Sequence, residues 1–399
     1  MGDILFLAHR VPYPPDRGDK IRSFHMLRHL AARRRVHLAA FADDPRDMDR
    51  PELAECTASR AIVRRAKSQA VAGLQALTSG RPLSLTAFDD AAMRRAVAEV
   101  LAREKIDTIF VFSSQMAQYL PAETSQRVIM DFVDMDSAKF AAYAGAAKGP
   151  MRWIYSREAR LLMATEAAVA ARADASLFVS EAEAGLFRRN TGAVRVHAIE
   201  NGIDTAHFDP SAQFERVEAG PGLIAFTGQM DYRPNVEAVS WFADAILPRV
   251  RAVHPDARFA IVGRNPTDAV RALSRREGVM VTGEVDDVRG WLAAAALVVA
   301  PLRLARGIQN KVLEAMAMAR PVVASAAAAE GIDHKGTIAV GETEAGMTEA
   351  VTLLLGDPQS ARDLGHDARA RVIARYGWDA RLAPLDALLG SAARFGEAA

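Results

Sequence analysis

Several features that would place this chain in a class at once are scarce or missing. It has a single cysteine, Cys56, among 399 residues. That excludes an internal disulfide framework or a cysteine-based metal cluster and suits a reducing compartment. No uninterrupted apolar run reaches the length of a membrane span. No charged segment leading into an apolar one precedes the first strand, so no secretion signal is read and a cytoplasmic location is expected. Neither sign of charge dominates: 50 Lys and Arg face 49 Asp and Glu. Nucleic acid is therefore not implied as a partner. The glycine fingerprint G-x-G-x-x-G is missing after the first strand, which disfavours a dinucleotide site there. There is no short-period repeat.

What is present points to a globular α/β chain. Half of the residues are hydrophobic and a quarter charged, and the length suits two domains of comparable size. Ile4–His9, Arg35–Phe41, Thr108–Phe112, Arg127–Asp131 and Ala175–Ser180 read as strands separated by helical segments. The helices include Ile21–Arg34, with Ile21, Phe24, Leu27 and Leu30 on one face, and the alanine-rich Arg157–Arg172. Residues 43–60 read as a polar connector. From Arg60 to Arg81, basic residues alternate with apolar ones, which reads as a basic amphipathic helix able to lie on an anionic bilayer, or as a solvated face. After the turn at Asn201-Gly202 and a loose linker to Gly222, a second series of strands opens at Leu223–Gly228 and runs through Ala257–Gly263 and Val279–Gly283. A helix is expected from Pro234 to Val253.

The most informative stretch runs from Ala295 to Ser325. Leu297–Ala300 and Val322–Ala324 are short buried strands, and Val312–Ala319 between them is made of good helix formers. Such a parallel unit binds ligands at the carboxyl end of its first strand. The loop there carries Arg303, Arg306, Gly307, Ile308, Gln309, Asn310 and Lys311. Backbone amides at a helix start, with two arginines and a lysine, make an anion site suited to a diphosphate. Glu314, the only acid on that apolar helix, lies one turn further in, facing either the site or solvent.

In the other half, His9 closes the first strand and Asp19 follows in the next loop. Ser113 sits at the end of Thr108–Phe112. The segment Asp131 to Ser137, with Asp134 and Asp136, ends the next strand and faces the presumed cleft. The two aspartates read as ligands of an acceptor hydroxyl, with Asp134 as a base, or as caps and turn residues. His9 is the histidine best placed for the cleft, in a binding or a structural role.

Gly307, Glu314-Ala-Met-Ala317 and Pro321-Val-Val-Ala324 match in register the donor-site signature of GT-B glycosyltransferases of the large retaining group usually called family 4. Asn201-Gly-Ile-Asp204 with Phe208 resembles that family's interdomain junction. The opening Pro12-Tyr-Pro-Pro15, Gly18-Asp-Lys-Ile-Arg-Ser-Phe24 and Gly228-x-Met230-Asp-Tyr-x-Pro-Asn235 resemble a subgroup associated with bacterial exopolysaccharide and exosortase (PEP-CTERM) systems. Two departures stand out. The family's first Glu, which contacts the sugar ring, is Arg306 here, and its loop arginine is Gln229, with Arg233 the nearest cation.

The resemblance implies two Rossmann-like, doubly wound parallel-sheet domains facing a central cleft. Residues 1–205 would bind the acceptor and residues 206–377 the nucleotide sugar, and the helix in 378–399 would cross back to the N-terminal domain. It implies transfer of a sugar from a nucleotide-diphosphate sugar to a hydroxyl of a glycan or lipid-linked acceptor, with retention, in bacterial exopolysaccharide or cell-surface glycan synthesis. Lys311 and Arg306, with the Gly307–Asn310 backbone and Arg303, would stabilise the leaving diphosphate. Glu314 would hold the ribose, Gly18 and Gly228 would bring backbone to the donor, Arg233 and Arg264 would assist, and Val285 would meet the base. His9, Asp19, Ser113 and Asp136 would hold the acceptor. No cofactor or metal is expected, and contact with the inner face of a membrane is. A nucleotide-sugar epimerase, a phosphorylase and a binding protein without transferase activity are the rival readings.

Overall fold

The computed structural model describes residues 2–15, 18–305 and 308–390. Two compact units divide the chain: one takes Met1–Asn201 together with the chain from Arg381 on, the other Gly202–Ala380. Each is built on a wholly parallel sheet with helices in the crossovers.

The first sheet comprises β1 (Asp3–Ala8), β2 (Val36–Ala42), β3 (Ser59–Arg64), β4 (Ile106–Phe112), β5 (Arg127–Val133), β6 (Ala175–Phe178) and β7 (Val196–Ala198). Its order is β3-β2-β1-β4-β5-β6-β7. The second comprises β8 (Leu223–Thr227), β9 (Arg258–Val262), β10 (Val279–Gly283), β11 (Leu297–Ala300), β12 (Val322–Ala324) and β13 (Ala339–Val340), in the order β10-β9-β8-β11-β12-β13. The central strands are mostly apolar and buried, as a sheet covered by helices on both faces requires. In each sheet the winding reverses beside the first strand, between β1 and β4 and between β8 and β11. These are the points where such folds leave a crevice beyond the strand ends.

The last helix, Trp378–Leu389, carries the chain back to the first unit. Asp386 accepts hydrogen bonds from His29 Nε2 (2.9 Å) and Arg33 Nη2 (2.8 Å). Arg34 donates to the Leu389 carbonyl (3.0 Å) and Arg127 to that of Leu388 (2.6 Å). The doubly wound architecture and the returning helix are thus those expected.

Local assignments differ in four places. The helix expected from Ile21 spans Gly18–Ala31, so Gly18 is its first residue. Residues 43–60 hold two short 3-10 turns, Pro45–Met48 and Pro51–Cys56, and the start of β3. The basic amphipathic helix from Arg60 to Arg81 does not form. Ser59–Arg64 pairs with β2 as an edge strand, its exposed Arg60 and Arg64 guarding the open edge. The helix that follows, Gln69–Ser79, has no Lys or Arg; Ser68 caps it and Gly80, at φ 70°, ends it. Finally, the Pro234–Val253 helix is a helix Arg233–Trp241, one wide turn Phe242–Ile246 and a helix Leu247–Arg251.

Candidate functional site

In the second unit the predicted donor residues gather at the switch point between β8 and β11. The helix Asn310–Ala317 starts there, with Gln309 at its cap position and no side chain capping it. Lys311, in its first turn, points its ammonium over the Phe226 ring of β8, 4.2 Å from the centroid, and donates to Asn235 Oδ1 at 2.5 Å. Asn235 is buried and in turn donates through Nδ2 to the Gln229 carbonyl (2.8 Å). Burial pulls the Lys311 ammonium down to about 8, against the opposing pull of Glu314. Burial also pushes the Glu314 carboxyl up to about 7, against the opposing pull of Lys311. Two half-buried groups of opposite sign, both shifted toward neutrality by burial, suit a ligand that brings its own charge and hydroxyls.

Two glycines bring the backbone in close. A Cβ on Gly263, just after β9, would lie 1.7 Å from the Gly228 carbonyl oxygen, and one on Gly228 would lie 2.8 Å from Asn235 Nδ2 and 3.1 Å from Lys311 Nζ. Only glycine fits either place, so the backbone ends of β8 and β9 lie against each other, with Asn235 and Lys311 alongside. Asn235 and Gly263 carry no role in the sequence reading. The signal for Asn235 was there, as the last residue of the Gly228-to-Asn235 motif, but nothing in the sequence aimed it at Lys311.

The remaining donor candidates are spread more widely. Arg303, exposed after β11, lies over Trp241 at 5.9 Å and lines a cavity of about 640 Å³ with Trp241, Ser325, Glu342 and Glu344. Arg233 is exposed and ion-paired with Glu237 (2.7 Å). The Arg264 side chain is exposed, while its carbonyl accepts from Met230 N–H (2.9 Å). Val285 follows Gly283, which holds φ 74° at the end of β10. Ile308 packs against the core, and Asn310 is exposed. Arg306 and Gly307 lie outside the described residues.

The first unit assembles a second group at its own switch point. His9 follows β1, stacked on Phe112 at 5.8 Å and edge-on to Phe88 at 5.9 Å. Its Nε2 lies 3.2 Å from Asp19 Oδ2, and its buried Nδ1 has no hydrogen-bond partner among the described residues. Burial pulls the imidazole below its usual range, so it is neutral at pH 7. Burial would raise Asp19, but hydrogen bonds from His9 and Arg10 (2.6 Å) hold it well below the usual carboxylate range. Gly18 begins the helix beside it.

Ser113, at φ 79°, and Val133, at φ 69°, hold left-handed backbone at the carboxyl ends of neighbouring β4 and β5. For a β-branched residue that is a costly conformation, of a kind that clusters at working sites. Ser114 donates to Asp136 (3.2 Å), whose carboxyl burial pushes up. Asp134 is exposed. Asp131 does not face a cleft. It is fully buried and accepts from Arg22 Nε (2.9 Å) and Nη2 (3.2 Å). Sequence reading also passed over Glu166, pushed up to about 7 by burial and bonded to Ser137.

With this geometry in view, the chain can be set beside known proteins. Residues 221–357 match the family described as Glycosyl transferases group 1. The second unit therefore holds a glycosyl transferases group 1 domain. That domain contains Gly228, Asn235, Lys311 and Glu314. A phosphatidyl-myo-inositol mannosyltransferase of Propionibacterium freudenreichii is 31% identical over 220 residues, 52% of this chain and 53% of that protein. The chain spans about half the length of the curated relatives it matches. Sucrose-phosphate synthase of Thermosynechococcus elongatus shares the fold over 97% of this chain and 98% of its own, with TM-score 0.57 and 18% identity. HepE of Anabaena, solved with UDP-glucose, does so over 98% and 100%, with TM-score 0.57 and 14% identity. The fold is that of GT-B glycosyltransferases, with two Rossmann-like units.

Proposed function

We propose that this protein transfers a sugar, with retention of configuration, from a nucleoside-diphosphate sugar to a hydroxyl of a glycan or lipid-linked acceptor. The observation that carries the reading is Lys311. It is a half-buried cation packed beside the Gly228 backbone, at the switch point of the unit that matches the glycosyl transferases group 1 family. A related GT-B structure holds UDP-glucose, which supports a donor of that class.

In this reading the bond between the anomeric carbon and the diphosphate oxygen breaks while the acceptor oxygen bonds to that carbon. The acceptor proton passes to the departing diphosphate. Lys311 and the helix start beside it stabilise the charge that develops there, and Arg303 and Arg306 add to the field. Glu314 accepts a hydrogen bond from a ribose hydroxyl. Gly228 and Gly263 let the donor approach, and Val285, Arg264 and Arg233 lie further along the nucleotide. His9 binds the acceptor together with Asp19, Ser113 and Asp136, and Asp134 assists. The Glu314-Ala-Met-Ala signature supports retention, and the Gly228-to-Asn235 motif supports a place in exopolysaccharide synthesis. The location we propose is cytoplasmic, with the membrane surface as the place where a lipid-linked acceptor is met. Among the described residues no helix is long and apolar enough to cross a membrane.

A thermal-shift panel of nucleoside diphosphates and their sugars tests the donor, since ligand at 100 times its Kd stabilises by about 2.7 kcal/mol. The matching donor should then give transfer to membrane-extracted acceptors, undiminished by chelator. Binding without turnover would mark a binding protein, and a new nucleotide sugar formed without acceptor would mark an epimerase. A strict divalent-metal requirement would remove the metal-free mechanism.

A further inference from the structure

The first unit carries an apolar face that its own fold leaves uncovered. In the helix Gln69–Ser79, Leu74 is 66% and Leu77 61% exposed, with Val71 beside them at 56%. A second helix, Gly149–Arg172, exposes Trp153 (60%), Met151 and Ile154 in its opening turns. The two segments lie against each other. Trp153 and Ile154 lie one turn before Arg157 and Glu158 on that helix. Arg157 donates to the carbonyls of Ala76 (2.6 Å) and Arg81 (3.3 Å), and Glu158 accepts from the backbone N–H of Leu83 and Ser84 (2.8 Å each). The preceding helix, Asp136–Ala146, joins them through Tyr143, itself exposed, whose ring lies 5.7 Å from that of Tyr155.

Exposed charge on these helices is basic, and the nearby Asp89, which accepts from Gln75 (3.3 Å), is paired with Arg81 (2.7 Å). Lys139, Lys148, Arg152 and Arg160 are exposed. Residues 66–88 contain no acid, and residues 137–165 contain one, Glu158, which is buried. Aliphatic side chains flanked by Trp and Tyr and rimmed by basic groups match the boundary of an anionic bilayer, where aromatic rings sit at headgroup depth. A symmetric contact between two copies would set these cations against one another.

We propose that this face, centred on Leu74, Leu77 and Trp153, docks the protein on anionic lipid. It rests on the transferase reading and gives its membrane contact a location, partly within the Arg60–Arg81 segment that the sequence offered to a bilayer and partly on the helix Gly149–Arg172, and it is tested without donor or acceptor. The full chain is sedimented with vesicles of phosphatidylglycerol and phosphatidylcholine, and with vesicles of phosphatidylcholine alone. Binding is expected to the first and not the second, falling with salt. Trp153→Ser and the double variant Lys148→Glu, Arg152→Glu should each weaken it about tenfold or more, with nucleoside-diphosphate binding unchanged as the check that they fold. Equal binding by wild type and both variants, or no binding to anionic vesicles, would overturn the proposal. So would a dimer in solution that Trp153→Ser dissolves, since the face would then belong to a second copy.

Discussion

Lys311 is held by the neutral carbonyl of Asn235, 2.5 Å away, rather than by an ion pair with Glu314 one turn along its own helix. A neutral partner orients the ammonium without cancelling its charge, leaving it for an incoming anion. Asn235→Ala should therefore weaken nucleoside-diphosphate binding by about tenfold, because the ammonium loses its orientation. Asn235→Asp should be worse, about 100-fold or more, since a fixed carboxylate both neutralises Lys311 and repels the diphosphate. Calorimetric titration of the two variants decides it, and an Asp variant binding as well as wild type would refute the arrangement.

Removing the cation itself should act on turnover. Lys311→Ala is expected to lower kcat/KM by about 10²–10³ while leaving the thermal midpoint near that of the wild type. A folded Lys311→Ala protein with near-normal turnover would take the leaving-group role away from this residue.

The two shifted groups make donor binding a proton-linked event. Lys311 titrates near 8 in the free protein, and a bound diphosphate raises that value, so the complex holds more protons above pH 8. Affinity should fall as pH rises from about 8 to 9, with proton uptake on binding. Glu314 titrates near 7, and a ribose hydroxyl donating to its carboxylate lowers that value, so binding below pH 7 should release a proton. Titrations in buffers of different ionisation heat measure both. Glu314→Gln should abolish the release below neutrality, keep the uptake above it and weaken binding overall. A release that persists in Glu314→Gln would mean that the carboxyl faces solvent.

The close backbone approach at the ends of β8 and β9 is open to a direct test. Gly263→Ala places a methyl group 1.7 Å from the Gly228 oxygen, so the strand ends must part. The expected cost is about 1–3 kcal/mol in denaturant unfolding, with loss of nucleotide binding. Tolerance of alanine with unchanged affinity would show that the close approach serves no ligand.

Arg22 is fully buried in the first unit. Besides its pair with Asp131 it donates to the Ile199 carbonyl (2.7 Å) and Asn201 Oδ1 (2.9 Å), tying the opening helix to the segment that leaves the sheet. Asp131→Asn leaves a fully buried guanidinium without its counter-charge and should cost about 3–5 kcal/mol in urea unfolding. A loss below about 1 kcal/mol would place that pair with solvent-screened ones.

Much of this was readable in linear order because it depends on local pattern. The strands 297–300 and 322–324, the helix 378–389 and the place of Lys311 at a helix start follow from apolar runs, helix formers and residues within one turn of each other. The Arg60–Arg81 segment was misread because its arginines suit an edge strand as well as a helix face, and pairing with β2 is what chooses. Asp131 looked like a cleft residue by position, and a salt bridge across 109 residues turns it inward.

Order along the chain was enough for two wound sheets, the crevice side of each and the helix carrying Lys311, since alternation of apolar and helical stretches dictates them. Which neutral group would hold that lysine, which glycines would touch and which apolar helix face would stay bare depended on contacts between distant segments. Those are settled by packing, because a side chain's partner is whatever the completed sheet brings within reach.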